Sequence, residues 1–222
     1  MLKKLFMVTT LIVSLISSAY AGVVIGGTRV VYEENLKEAQ LLVYNKDSIM
    51  YLIQSWVGDA DNKADSPFII TPPLFKLSPK TNGSIRIVNI KKDGLPSDRE
   101  SLFELNIKAV PATESGSKNH LLISTQNVIK LIYRPASLSQ PNFDALDSQL
   151  SVKKSGNQVE ISNSTPYFIN LTGLSVAGQS REDPSKIDPF GKVTLDAAGA
   201  STLSFKIIDD NGIKSKVYQY SF

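Results

Sequence analysis

Two cations interrupt the apolar run "NVIKLIYRP" (127–135): Lys130 in its middle and Arg134 just before a proline. The remainder, Val128, Ile129, Leu131, Ile132 and Tyr133, has the composition of a strand that belongs in a protein interior. A charge carried into such a strand is costly unless a counter-charge or hydrogen-bonding group meets it. The chemistry on offer is therefore anion binding. An ammonium is a point charge with three donors, and a guanidinium is a planar fork that can serve two carboxylates at once. The bland alternatives are that Lys130, like Arg29, snorkels from a strand end to pair with a surface acid, and that Arg134 makes an exposed ion pair worth at most about 1 kcal/mol.

Reactive groups are otherwise scarce. There is no cysteine and one histidine, His120, which excludes thiol nucleophiles and ordinary zinc cages. No G-x-S-x-G elbow accompanies His120; "GLSVA" (173–177) only half resembles one. "IGGTR" (25–29) has too few glycines for a dinucleotide or phosphate loop. The carboxylate pairs Asp59/Asp61 and Asp209/Asp210 fall at turns, where aspartate is favoured for local hydrogen bonding. These absences argue against an enzyme, a metal site or a cofactor, and leave a hydrolase built on His120 as a distant third reading.

The elements that position Lys130 and Arg134 read as β throughout. Short segments rich in Val, Ile and Tyr alternate apolar and polar residues, as in "GSIRIVNI" (83–90) and "SLFELNIKAV" (101–110). "FIITPPLFKLSP" (68–79) is bracketed by prolines and suits an edge or a crossover. Trp56, the one tryptophan, lies in a strand read as core, and "AGQSREDPSKIDPFG" (177–191) reads as an exposed loop. "ASLSQPNFDALDSQ" (136–149) breaks the strand rhythm and marks a boundary. The spacing predicts two sandwiches: a first domain over 22–137, a linker over 138–146 and a second domain over 147–222.

Residues 1–21 read as a secretory signal peptide, with Lys3 and Lys4 leading an apolar stretch and Ala19-Tyr20-Ala21 as the cleavage pattern. Cleavage is expected after Ala21, with no membrane insertion of the mature chain. A formal net charge of +3 gives no argument for nucleic acid. The strand "HLLISTQNVIKLIYRP" (120–135) is amphipathic in its first half, with Leu121, Ile123 and Thr125 on one face and Leu122, Ser124 and Gln126 on the other. It is either a fully paired internal strand or an edge that adds to a strand of a partner.

"LPSDRESLFELNIKAVP" (95–111) followed by "VIKLIYRP" (128–135) resembles the signature of the periplasmic chaperones of the chaperone–usher pathway. "TRVVY" (28–32), "ITPPLFKLSP" (70–79) and "NSTPYFINLTGL" (163–174) extend the resemblance along the chain. It implies two immunoglobulin-like β-sandwich domains in an L, with an interdomain cleft. It also implies binding of fimbrial subunits by donor-strand complementation and delivery to an outer-membrane usher, without a cofactor. Position by position, Arg29 and Lys130 correspond to the cations that hold the subunit's C-terminal carboxylate. Leu121, Ile123 and Thr125 correspond to the donor residues, Thr125 being smaller than is usual there. Glu100, Arg134 and Asp210 correspond to an interdomain salt bridge, with Asp209 as the neighbouring candidate. The short 111–120 connection and the lack of cysteines resemble the short-loop subfamily, and self-association through the donor strand is a further implied contact. Lys130 has the opposite parity from Leu121, Ile123 and Thr125, so one partner meeting both requires a twist, a bulge or a change of facing. The runner-up is a secreted β-sandwich adhesin or carbohydrate-binding module, which expects an aromatic platform on a sheet face.

Overall fold

The computed structural model describes residues 22–59, 66–91, 94–112, 122–143, 145–182 and 186–222. The expected leader, His120 and Leu121 lie outside them. In the first half, β1 (Val23–Ile25), β2 (Arg29–Glu33), β3 (Ala39–Asn45), β4 (Tyr51–Asp59) and β5 (Phe68–Thr71) precede β6 (Leu74–Leu77), β7 (Asn82–Asn89), β8 (Ser101–Pro111) and β9 (Thr125–Arg134). They form two sheets, ordered β1-β3-β7-β5 and β2-β9-β8-β4-β6. Period-2 alternation sends Leu41, Val43, Ile85, Ile87, Leu105, Ile107, Leu131 and Tyr133 into the space between the sheets. Aromatic edges close that core, with Phe68 and Phe103 ring centroids 5.1 Å apart. The chain leaves one sheet at β5 and joins the edge of the other at β6, across the cis Thr71–Pro72 bond. Both strands are edges, as the prolines imply.

The second half builds a separate core. A 3-10 turn over Leu146–Gln149 leads into β10 (Leu150–Ser155), β11 (Gln158–Asn163), β12 (Ile169–Val176), β13 (Gln179–Arg181), β14 (Lys186–Ile187), β15 (Lys192–Asp196), β16 (Thr202–Ile208) and β17 (Tyr218–Ser221). One sheet runs β10-β11-β15; the other runs β13-β12-β16-β17, with β14 also paired to β12. Val159, Ile161, Ile169, Leu174, Leu203 and Phe205 fill the space between them. Phe143 and Leu146, within the segment read as a linker, pack into this core. The result is two β-sandwiches, the expected fold class.

Three expectations change. The stretch 177–191 is not a plain loop: β13 and β14 pair with β12 within it. Ala177 and Gly178, with φ of 52° and 78°, form the tight reversal between Val176 and Gln179. Two left-handed residues suit a hairpin turn, but alanine seldom advertises one. Trp56 is 38% exposed, because Ile53 and Ser55 take the inward positions of β4 and alternation sends the indole outward. Its ladder neighbours on that face, Asn106 and then Val128, are not aromatic, so among the described residues this ladder does not extend the indole into an aromatic platform. The third change concerns β9 and belongs with the site.

Each sandwich fastens the end of an inner strand with a buried asparagine. The Asn45 amide donates to the carbonyls of Ile49 (2.7 Å), Leu77 (3.2 Å) and Ser78 (3.0 Å), and its oxygen accepts the Asp47 N–H. Asn163 likewise donates to Tyr167 and Asp188 and accepts from the Thr165 N–H. Asn45→Asp would turn a carboxylate oxygen toward three carbonyls. Leaving such acceptors without a donor costs roughly 2–3 kcal/mol or more. Urea unfolding should show that loss; an unchanged midpoint would contradict the fastening role.

Candidate functional site

The two edges of β9 are treated differently. β8 pairs with it from Thr125 to Tyr133, whereas β2 lies parallel to it only from Lys130 to Arg134. From Thr125 to Ile129 the second edge carries no strand among the described residues. Thr125, Gln126 and Val128 are exposed, and Ile123, just before the strand, is 65% exposed. A row of unpaired N–H and C=O groups flanked by apolar side chains is a template for an added strand. Leu121 lies outside the described residues.

The β8–β9 register runs without a shift from Thr125 to Tyr133, which removes a bulge as the way to turn Lys130 toward the Thr125 face. Lys130 shares its face with Val128, Ile132 and Arg134; Thr125 shares the other face with Leu131 and Tyr133. An added strand meets both sets because it approaches the edge, where both faces project.

At the foot of the free edge, Arg29 of β2 stands directly beside Lys130 in the parallel ladder. Like charges in adjacent register repel. The Arg29 guanidinium is worse placed still: its Nε and Nη1 are buried and have no hydrogen-bond partner. Burial lowers its pKa, with Asp210 and Asp209 opposing at longer range. Burial, followed by the nearby Arg29 and Lys186 charges, pulls Lys130 down to about 8. Its ammonium donates to Oδ1 of Asn170, on β12 of the second sandwich. Among the described residues neither Arg29 nor Lys130 forms an ion pair with a carboxylate. Two partly desolvated cations stand side by side with directed donors left over, which is the chemistry that charge-assisted binding of an anion requires.

Arg134 has the opposite arrangement. Only 3% exposed, it gives Nε to Glu100 Oε1 at 2.8 Å and Nη2 to the same oxygen at 2.6 Å. Its Nη1 reaches Asp210 Oδ2 at 2.9 Å, and the guanidinium lies 5.6 Å over the Tyr167 ring. Glu100 adds a backbone clasp: its N–H donates to Pro166 O, and its Oε2 accepts the Phe168 N–H at 2.8 Å. Burial pushes the Glu100 carboxyl above its usual range despite Arg134; burial opposes the Arg134 charge too, but Asp210 and Glu100 outweigh it. Asp209 serves its own turn, accepting the N–H groups of Asn211 and Ile213. That turn lies against Thr28, whose hydroxyl is 3.2 Å from where a Cβ on Gly212 would sit. Only glycine suits the position, since φ there is 82°.

Several of these partners escape sequence reasoning. Asn170, Lys186 and the backbone of Pro166 and Phe168 carry no charge pattern that marks them as facing a distant strand.

Residues 22–139 match the family described as pili and flagellar-assembly chaperone, PapD N-terminal domain. Residues 145–219 match its companion, pili assembly chaperone PapD, C-terminal domain. The chain belongs to the PapD family of pilus-assembly chaperones. Among curated relatives, chaperone protein FocC of Escherichia coli is 39% identical over 203 residues, 89% of this chain and 88% of its own. A chain of the complex of Salmonella enterica SafA pilin with the SafB chaperone superposes with a TM-score of 0.81 at 32% identity, covering 93% of this chain and 99% of that one. The E. coli chaperone DraB gives 0.78 at 31% identity, over 90% and 96% of the two chains. The protein is thus a chaperone and not an enzyme.

In this chaperone Arg134→Ala would leave Glu100, itself 3% exposed, facing Asp210 without a cation. Removing one member of a buried ion group costs about 3–5 kcal/mol. Calorimetry should show a lower melting temperature and solution scattering a changed profile. Both quantities unaltered would contradict a role in joining the two sandwiches.

Proposed function

We propose that this periplasmic chaperone captures pilus subunits by lending them the free edge of β9, while Arg29 and Lys130 hold the subunit's C-terminal carboxylate. The observation that carries this reading is the pair of buried, unpartnered Arg29 nitrogens beside Lys130, at the foot of a strand edge that no strand covers among the described residues. A subunit that lacks a strand exposes an apolar groove and aggregates unless the groove is filled. Ile123 and Thr125, with Leu121 before them, supply the filling side chains. Backbone pairing alone leaves register free to slip, and a carboxylate clamped at one end removes that freedom. The Glu100–Arg134–Asp210 group holds the two sandwiches in the orientation the capture requires. Domain limits of 22–137 and 147–222, cleavage after Ala21 and delivery to an outer-membrane usher belong to the same reading.

Co-expression with a pilus subunit of the same fibre system, followed by pull-down, tests it. Arg29→Ala or Lys130→Ala should weaken capture by about 2–5 kcal/mol, roughly 30- to 5,000-fold, with the chaperone still folded. Retained capture in both variants would sink the anchor.

The pH dependence follows from Lys130, which titrates at about 8 in the chain alone. A bound carboxylate favours the ammonium and raises that value, so below about 8 both states carry the proton and affinity is level. At higher pH the free chain has lost the proton that the complex requires, and affinity falls by up to about tenfold per unit. Titration calorimetry should find proton uptake on binding at pH 9 and little at pH 7. Affinity unchanged between the two would remove Lys130 from the anchor.

A further inference from the structure

Lys130 is reached from both sandwiches. On its own sheet it neighbours Arg29 of β2 and Glu104 of β8, each its direct partner in the ladder. From the second sandwich it is faced by Asn170 of β12 and by Lys186 of β14, which are themselves paired in register. Lys186 is occupied elsewhere: its ammonium pairs with Asp188 and lies 5.5 Å over the Phe168 ring. The group that contacts the Lys130 ammonium is Asn170, a side chain 4% exposed, whose oxygen accepts its hydrogen bond.

The identity of that residue is informative. A lysine stem has four rotatable carbons and loses considerable freedom when ordered. An acceptor from the second sandwich bears that cost before any partner arrives. An ammonium has three donors, so giving one to Asn170 leaves two for an incoming carboxylate. The amide oxygen is also uncharged. It directs the ammonium without neutralising it, whereas an aspartate at the same place would satisfy the charge internally and repel a second carboxylate.

We propose that Asn170 is a positioning residue of the anchor, an uncharged acceptor through which the second sandwich aims Lys130 while leaving its charge for the partner. The inference rests on the carboxylate-anchor reading given above, and it assigns the second sandwich a part in recognition as well as in support.

The test compares the wild-type secreted chain with Asn170→Asp, Asn170→Ala and Asn170→Ser. The probe is a synthetic peptide of alternating apolar residues ending in a free carboxylate, with its C-terminal amide as control. Lys130 is titrated directly by NMR of its side-chain carbon and nitrogen without peptide. In Asn170→Asp the new charge should raise the Lys130 pKa by about 1–3 units and raise the melting temperature. Affinity for the carboxylate peptide should nevertheless fall by about tenfold or more, because the charge is already answered. Asn170→Ala should weaken the same peptide by about 2- to 12-fold, the cost of ordering one long side chain on binding. Asn170→Ser, which keeps an acceptor oxygen, should recover part of that loss.

Greater stability with poorer binding is a combination that a merely structural Asn170 would not produce. Wild-type affinity in both Asn170→Asp and Asn170→Ala, or a Lys130 titration unmoved by Asn170→Asp, overturns the proposal. If Asn170→Asp does not fold, the alanine and serine variants decide: equal affinity in Asn170→Ala and wild type overturns it. Failure of the underlying reading looks different. A wild-type chain that binds carboxylate and amide peptides equally has no carboxylate anchor, whatever the Lys130 titration shows.

Discussion

A guanidinium enclosed by carboxylates from two different β-sandwiches is the contact on which the proposed site depends. Arg134 is contributed by the last strand of the first sandwich, Glu100 by the approach to the strand beside it, and Asp210 by a turn of the second. Each of these charges is tolerable out of water only while the other two stay in place. On the proposed reading their geometry fixes how the sandwiches meet, and with it the distance between Lys130 on one and Asn170 on the other. Ring stacking of Tyr167 on the guanidinium and the backbone clasp of Glu100 on Pro166 and Phe168 reinforce the same contact.

Four residues along one strand thus separate two opposite solutions to the same electrostatic problem. Arg134 has its donors matched within the chain and stabilises the joint. Among the described residues Arg29 and Lys130 have no carboxylate of their own, and they hold directed donors in reserve. A protein that needs only stability has no reason to leave two buried guanidinium nitrogens without a partner, since each unmade hydrogen bond costs free energy. On the proposed reading the deficit is the binding energy, stored in the chain until a partner's terminus releases it.

The sandwiches were legible in the sequence because alternation is a local property. Leu105 and Ile107, or Ile85 and Ile87, announce their faces within a few residues, and the prolines at 72 and 73 announce a change of sheet. Trp56 was misread for a reason equally local: its strand is central, but Ser55 holds the inward place and the indole points out. β13 went unseen because Ala177 adopts a positive φ that its identity does not suggest. The site was legible only as far as charge and family resemblance reach, which brought in Arg29, Lys130, Glu100, Arg134 and Asp210. Asn170 was not, since a neutral residue within an apolar strand acquires its meaning only when folding brings a lysine from forty positions away. The parity of Lys130 is likewise resolved only by the fold, because an uninterrupted β8–β9 ladder shows that the strand keeps both faces in use.

That uninterrupted ladder makes β9 a ruler. Lys130 lies five positions beyond Thr125, about 17 Å at the rise of an extended strand, with no bulge to take up slack. A partner clamped by its last residue at Lys130 has every earlier residue assigned to a numbered place along the edge. Its apolar groove then has to begin at a set count from its own terminus. Lengthening that interval by one residue reverses which side chains face inward along the whole pairing. Recognition on this scheme is metric as well as chemical. On the proposed reading, partners of unrelated sequence would share one chaperone if they keep the count, and a close relative that loses a residue before its terminus would not.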